Sequence, residues 1–243
     1  MTKVLVINTS LRKKSGNTAM LLEPFIEGMK AKGADIEVVY TEKLDLKQCR
    51  GCLACWFKTP GICSTLKEDD MRDLLDKMSR ADYWILASPI YSGGVCVNMQ
   101  LLLERTTPLL EPTILSQSDP SSPRRHPRRP TSGEAKIVFL STAAWTREQF
   151  EPSLLHLKTY ACMQDREFIG AILRPTVALF RRAVKRGVMD VGDIIGACKE
   201  AGEQLITDGR FSTETVKVIG RDLVSIEKFD EVYNQQILKA MNR

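Results

Sequence analysis

Residues 3–18 read Lys-Val-Leu-Val-Ile-Asn-Thr-Ser-Leu-Arg-Lys-Lys-Ser-Gly-Asn-Thr, and this stretch decides the fold. Val4 to Ile7 is a short β-branched run, and from Asn17 to Met29 the side chains of Leu21, Leu22, Phe25, Ile26 and Met29 recur on one helical face. Strand, polar and basic turn, then helix make a first βα unit. Backbone N–H groups at a helix start point outward with the positive end of the dipole, so an anion can sit there. Ser10, Ser15, Asn17 and Thr18 add side-chain donors and Arg12 adds charge. An ordinary N-cap under a solvated basic turn would have the same composition; the position at the first βα junction favours a phosphate. Neither G-x-x-x-x-G-K-[ST] nor G-x-G-x-x-G is present, which argues against a P-loop ATPase or the usual dinucleotide fingerprint.

Outward from this unit, strand and helix patterns alternate. Ile36 to Tyr40 reads as a second strand, and a helix starts near Asp69 with Met71, Leu74, Leu75 and Met78 facing inward. Asp69 and Asp70 suit its N-terminal dipole. Tyr83 to Ala87 is a third strand, followed by a loop from Ser88 to Gly94 and a helix around Asn98 to Leu110. Ile137 to Leu140 and Phe168 to Leu173 are the fourth and fifth strands. The alternation predicts a parallel sheet covered by helices on both faces. Five strands match an α/β, flavodoxin-like, doubly wound sheet of order 2-1-3-4-5, with ligands bound beyond the carboxyl ends of the strands.

Between them, residues 111–136 are rich in Pro, Ser and Arg and predict a mobile surface excursion. Arg124, Arg125, Arg128 and Arg129 read as a solvated basic cluster, or else as a docking site for an acidic partner or a cofactor phosphate. The expected organisation is one domain over 1–206 and a tail over 207–243. The tail's Leu223, Ile226, Phe229, Val232 and Ile237 look like surface for packing or oligomerisation.

Cys49, Cys52, Cys55 and Cys63, spaced C-x2-C-x2-C-x7-C, are the densest chemical signal in the chain. Three thiolates at intervals of three can converge on one small inorganic core, and the loop Trp56 to Ile62, with Pro60 and Gly61, can bring in the fourth. The spacing is more compact than the paired knuckles usual for structural zinc. Cys52 and Cys55 also form the C-x-x-C pair of a thiol redox switch, so cluster, zinc and switch all stand as readings. Cys96, Cys162 and Cys198 read as core packing. The third strand's loop, Ser88-Pro89-Ile90-Tyr91-Ser92-Gly93-Gly94, offers a rigid turn, an aromatic ring and a diglycine, parts that suit a planar ligand such as a flavin ring. Ser141-Thr142-Ala143-Ala144-Trp145 ends the fourth strand as a further small polar loop on the same predicted edge. Neither His126 nor His156 reads as catalytic, and the chemistry is expected to belong to a cofactor.

Composition narrows the class. The chain has 243 residues, 43% of them apolar, enough for a full core. No stretch approaches the ~18 to 20 apolar residues of a membrane span, and a strand starting at Lys3 leaves no room for a signal peptide, so a cytoplasmic protein is expected. Seven cysteines, an odd number, fit a ligand set better than a disulfide framework. A net charge of +5 suits anionic cofactors and gives little support for nucleic acid.

With S-L-R-K-K-S-G-N-T at 10–18, S-P-I-Y-S-G at 88–93 and the cysteine motif between them, residues 1–175 resemble the flavodoxin-like NADPH-dependent FMN reductases, and within them the iron-sulfur flavoproteins. The resemblance implies noncovalent FMN, its phosphate held by Ser10, Arg12, Ser15, Asn17 and Thr18. Pro89, Ile90, Tyr91, Ser92 and Gly93 would frame its ring, with Ser141 and Thr142 on the neighbouring loop. It also implies a homodimer or homotetramer and, in the iron-sulfur members, a [4Fe-4S] cluster on Cys49, Cys52, Cys55 and Cys63. Related flavin reductases carry the similar cysteine loop, G-x-C and D-D-M without an established cluster, as here at 61–63 and 69–71. The expected activity is electron transfer from NAD(P)H, or a ferredoxin-like donor, to a quinone, oxygen species or other small-molecule acceptor. A non-enzymatic flavin carrier or a thiol and flavin redox sensor is the alternative.

Overall fold

The computed structural model describes residues 1–64, 68–115 and 124–242. Its parallel strands are β1 (Lys3–Asn8), β2 (Asp35–Tyr40), β3 (Tyr83–Tyr91), β5 (Lys136–Thr142) and β6 (Phe168–Arg174), with a two-residue β4 (Gly94–Val95) antiparallel to β3. The order β2-β1-β3-β5-β6 is the expected doubly wound one, β4 lying off the path. The helices are α1 (Asn17–Ala31), α2 (Ala54–Phe57), α3 (Met71–Arg80), α4 (Val97–Glu104), α5 (Glu151–Met163), α6 (Val177–Arg186), α7 (Gly192–Asp208), α8 (Thr213–Ile219) and α9 (Ile226–Met241).

Period-two alternation splits the core across the sheet. Leu5, Ile7, Trp84, Leu86 and Phe139 pack with α3, α4 and α5. Val4, Val6, Ile85, Val138 and Ile172 pack on the other face with α1, α6 and α7. The α1–α7 seam depends on glycine. A Cβ at Gly28 would lie 1.9 Å from the Lys199 carbonyl oxygen, and one at Gly202 would lie 2.1 Å from that of Phe25. Only bare backbone permits this approach, which fixes the helix that carries the first loop.

The structure departs from the sequence pattern in four places. The third strand does not stop at Ala87 but runs to Tyr91, and Ser88–Gly94 is largely a hairpin, with Ile90 opposite Val95 and Tyr91 opposite Gly94. Ser92 at φ 50° and Gly93 at φ 77° make the left-handed pair that a tight two-residue turn requires. The helix expected over Asn98–Leu110 is α4 followed by a 3-10 turn at Thr107–Leu109, because Pro108 lacks the N–H that would continue it. The helix expected near Asp69 begins at Met71.

The fourth departure is the Pro- and Arg-rich excursion, whose described flanks are anchored. Glu111 N–H donates to Pro127 O at 2.8 Å, Leu115 N–H donates to Arg125 O at 3.0 Å, and Ser132 and Ala135 are buried. Arg125 and Arg128 pair with Asp165, and Arg129 with Glu111, so these three are held by carboxylates, whereas Arg124 is exposed as expected of a solvated cluster. The expected mobility falls partly on residues 116–123, outside the described residues. In the tail, α8 buries Thr215 and Ile219, whereas α9 buries Phe229 and leaves Ile226, Ile237, Leu238 and Met241 exposed. Among the described residues no helix is long and apolar enough to cross a membrane.

Candidate functional site

After β1 the chain tightens into a loop over α1. Ser10 N–H donates to Asn8 Oδ1 at 2.9 Å, Lys13 N–H donates to Ser10 O at 2.9 Å, and both the N–H and hydroxyl of Ser15 donate to Arg12 O, at 2.9 and 2.8 Å. Gly16 closes the turn. A Cβ there would stand 2.8 Å from Ser10 Oγ and 3.1 Å from Arg12 Cβ, so only glycine leaves the loop undisturbed. As the N-cap of α1 it supplies no side-chain acceptor, and the first N–H groups of the helix remain available to an anion. Thr18 and Ser10 are buried, while Arg12 and Ser15 are exposed and Asn17 is half-buried. Lys13 is engaged with Glu42 at 2.6 Å. Beneath the loop the Asn8 Nδ2 group is buried with no hydrogen-bond partner, an orphaned donor that a ligand could satisfy.

Two neighbouring strand ends complete this edge. Ser88, Pro89 and Ile90 are buried, whereas Tyr91, the last residue of β3, and Trp145, in the loop after β5, are 55% and 50% exposed. Ser141 Oγ donates to Ser88 O at 2.6 Å, which commits that hydroxyl to bracing the strands. Thr142 Oγ1 lies 3.3 Å from Thr18 Oγ1, joining the end of β5 to α1. Thr9 Oγ1 donates to Ala87 O at 2.9 Å and lies 3.0 Å from Cys96 Sγ, and Cys96 N–H donates to Ser88 Oγ at 3.1 Å. Sequence reading placed Cys96 in the core; it is buried there and also knits the first loop to the hairpin. Arg181 on α6 gave no sequence signal at all. Its Nη1 donates to Ser15 O at 3.1 Å and to Asn17 Oδ1 at 3.0 Å, bringing a guanidinium to the loop from 164 residues away.

The four clustered cysteines form a second centre. All four line one cavity of about 90 Å³, with Leu53, Arg105 and Pro108 in its wall. Gly51 N–H donates to Cys49 Sγ at 3.4 Å. The short α2 then turns the chain, and Gly61 N–H, bonded to Cys55 O at 2.9 Å, helps return it to Cys63. Burial pushes the Cys55 thiol up, and neighbouring Cys63, Cys49 and Cys52 push it further against a backbone hydrogen bond. Among the described residues no group of three or more His, Cys, Asp or Glu side chains is arranged to hold a metal ion. What the four cysteines share is the wall of one cavity. His126 is bonded through Nδ1 to Thr113 O at 2.8 Å and packs on Trp56 with ring centroids 4.7 Å apart, a structural position; His156 is half-buried on α5.

The loop carrying these cysteines is closed at its neck. Asp45 N–H donates to Asp70 Oδ2 at 2.7 Å and Asp70 N–H donates to Asp45 O at 3.0 Å. Lys47 N–H donates to Asp69 Oδ2 at 3.2 Å. Burial alone would raise the Asp69 carboxyl, but hydrogen bonds from Arg105, Lys47 and Met71 and the charge of Arg105 hold it below the usual range.

A doubly wound parallel sheet of this order defines a flavodoxin-like fold. The chain belongs to the NADPH-dependent FMN reductase family, whose model matches residues 2–148. It is 36% identical over 107 residues to an iron-sulfur flavoprotein of Methanocaldococcus jannaschii, covering 44% of this chain and 53% of that protein. An iron-sulfur flavoprotein of Methanosarcina thermophila is 27% identical over 94 residues, covering 39% and 47%. The matched stretch therefore spans about half the length of these relatives. Among solved structures, an FMN-dependent NADH-azoreductase from Bacillus anthracis in complex with FMN superposes with a TM-score of 0.60 at 11% identity, covering 86% of this chain and 99% of that one. The NAD(P)H:quinone oxidoreductase from Methanothermobacter marburgensis superposes with a TM-score of 0.57 at 14% identity, covering 84% and 96%. These likenesses are of fold.

Proposed function

We propose that this protein is a cytoplasmic, FMN-dependent oxidoreductase with a [4Fe-4S] cluster, passing electrons from NAD(P)H or a ferredoxin-like donor to a quinone, oxygen species or other small acceptor. The observation that carries the flavin reading is the uncapped start of α1 with the orphaned Asn8 Nδ2 at the end of β1, beside β5, which Thr142 ties to α1 through Thr18 and Ser141 ties to β3 through Ser88. Ser10, Ser15, Asn17 and Thr18 supply donors for a phosphate and Arg12 its counter-charge, while Arg181 steadies the backbone of Ser15 and the amide of Asn17. Pro89, Ile90, Tyr91, Ser92 and Gly93 frame the ring, with Ser141 and Thr142 bracing that frame from β5. Bound FMN would supply both hydride and single-electron chemistry. Cys49, Cys52, Cys55 and Cys63 would hold the cluster, which supplies one-electron transfer. Assembly as a homodimer or homotetramer is part of the same proposal, while the family match and the iron-sulfur relatives support its flavin oxidoreductase part.

Anaerobic purification of untagged protein followed by an absorption spectrum, iron and acid-labile sulfide assays and NAD(P)H oxidation tests this reading. Flavin bands with about four irons per chain and turnover with an added acceptor are expected. A colourless protein would overturn it; flavin without iron would remove the cluster alone; photoreducible flavin without turnover would make the protein an electron carrier.

A further inference from the structure

Arg105 and Asp69 form the most deeply buried ion pair among the described residues, their side chains 2% and 1% exposed. A buried ion pair is weak grounds for stability, because desolvating two charges offsets much of their attraction. Its placement is more informative. Arg105 Nη1 donates to Asp69 Oδ2 and to Lys47 O at 2.7 Å, and Nη2 donates to Asp69 Oδ1 at 3.1 Å. The guanidinium therefore grips both sides of the neck through which the cysteine loop leaves and re-enters the body.

The pair is also oriented. Arg105 stands in the wall of the cysteine cavity with Cys49, Cys52, Cys55 and Cys63. It borders as well a larger cleft of about 560 Å³ that runs along α3 and shares Cys63. Asp69 borders neither, so of this pair the cationic member lines the thiol cavity, where Arg50 and Glu104 are the other charged residues of the wall. Asp69 is fixed there by N–H groups of Lys47 and Met71, at 3.2 and 3.3 Å.

We propose that Arg105 is the positioning residue of the cysteine centre: it locks the neck of the loop, and it turns the positive pole of the Arg105–Asp69 pair toward the cluster, raising the cluster's reduction potential. The inference rests on the cluster reading above. An electron entering the cluster adds one negative charge, and a fixed cation beside the thiolates stabilises that reduced state. The charges of the pair act with opposite sign, so removing each in turn separates an electrostatic role from a merely structural one.

The experiment is a dithionite redox titration, followed by absorption and paramagnetic resonance, of anaerobically prepared wild type, Arg105→Lys, Arg105→Gln and Asp69→Asn. Iron, sulfide and flavin are assayed on each. Arg105→Gln is expected to make reduction about tenfold less favourable, a shift of about 59 mV to lower potential for a one-electron couple. Arg105→Lys, which keeps the charge, should stay near wild type, and Asp69→Asn should shift to higher potential. Should Arg105→Gln lose its cluster, Asp69→Asn decides: an upward shift supports the proposal and an unchanged potential overturns it. Loaded Arg105→Gln and Asp69→Asn proteins that do not move, or that move in the same direction, also overturn it. A wild type with flavin but no iron or sulfide overturns it together with the cluster reading, whereas a loaded wild type with insensitive variants overturns this inference alone.

Discussion

At the ligand edge of the sheet, Thr9 to Ala87 O and Ser141 to Ser88 O tie neighbouring strand ends, backed by the parallel ladder, and Thr18 with Thr142 ties β5 to α1. The cysteine loop has no such ladder at its neck. It is closed by the paired Asp45–Asp70 hydrogen bonds, one to the Asp70 carboxylate and one to the Asp45 carbonyl, and by Arg105 with Asp69 and Lys47. One region is held by dispersed neutral links of about 1 kcal/mol each, the other by a few backbone N–H bonds centred on one buried charge pair. The first should degrade gradually on substitution and the second should fail abruptly.

The sharpest way to break that contrast is Arg105→Ala. It leaves Asp69 buried without its partner, a loss of about 3–5 kcal/mol. Hydrogen exchange should then rise across residues 45–70 while flavin binding survives; joint loss of both would show that the two regions are not separate. Gly16→Ala attacks the other region. Its new Cβ crowds Ser10 Oγ, an overpacking of about 1–3 kcal/mol, and should weaken FMN binding about tenfold without changing iron content.

Acid should reproduce the first contrast in the wild type. The folded Asp69 carboxyl is held below its unfolded value, so its contribution is present above the unfolded range near about 3.9 and is lost as pH falls through the folded value. Exchange measured on descending pH should show residues 45–70 opening only on that acid side, and Asp69→Asn should remove this part of the acid dependence. The smallest effect belongs to Arg181→Gln. Losing one guanidinium that braces the first loop should weaken FMN about fivefold, roughly 1 kcal/mol, and leave riboflavin, which lacks the phosphate, unchanged in a fluorescence titration.

The order of the sheet was legible because strand and helix periods are local: Val4 to Ile7 and the Leu21, Phe25, Met29 stripe need no distant partner to be recognised. The cysteine cluster was legible for the same reason, and the structure gathers its four members on one cavity. The hairpin at 88–95 was not, because Ser92 takes a left-handed conformation that its identity does not announce. Arg181 was invisible because the loop it serves lies 164 residues away. Asp69 read as a helix-dipole residue, since nothing near it in sequence reveals Arg105, and Arg125, Arg128 and Arg129 read as solvated because their carboxylate partners Asp165 and Glu111 are fixed only by tertiary folding.

The mutual hydrogen bonds of Asp45 and Asp70 make everything between them a cassette. Chain enters and leaves through one doorway on the sheet's flank, so the length and cargo of the insert can change while the strands stay in register. A short linker joining Lys47 to Asp69, which keeps both partners of Arg105, should yield a thiol-poor version on the same frame, and that junction is where a different redox payload could be grafted.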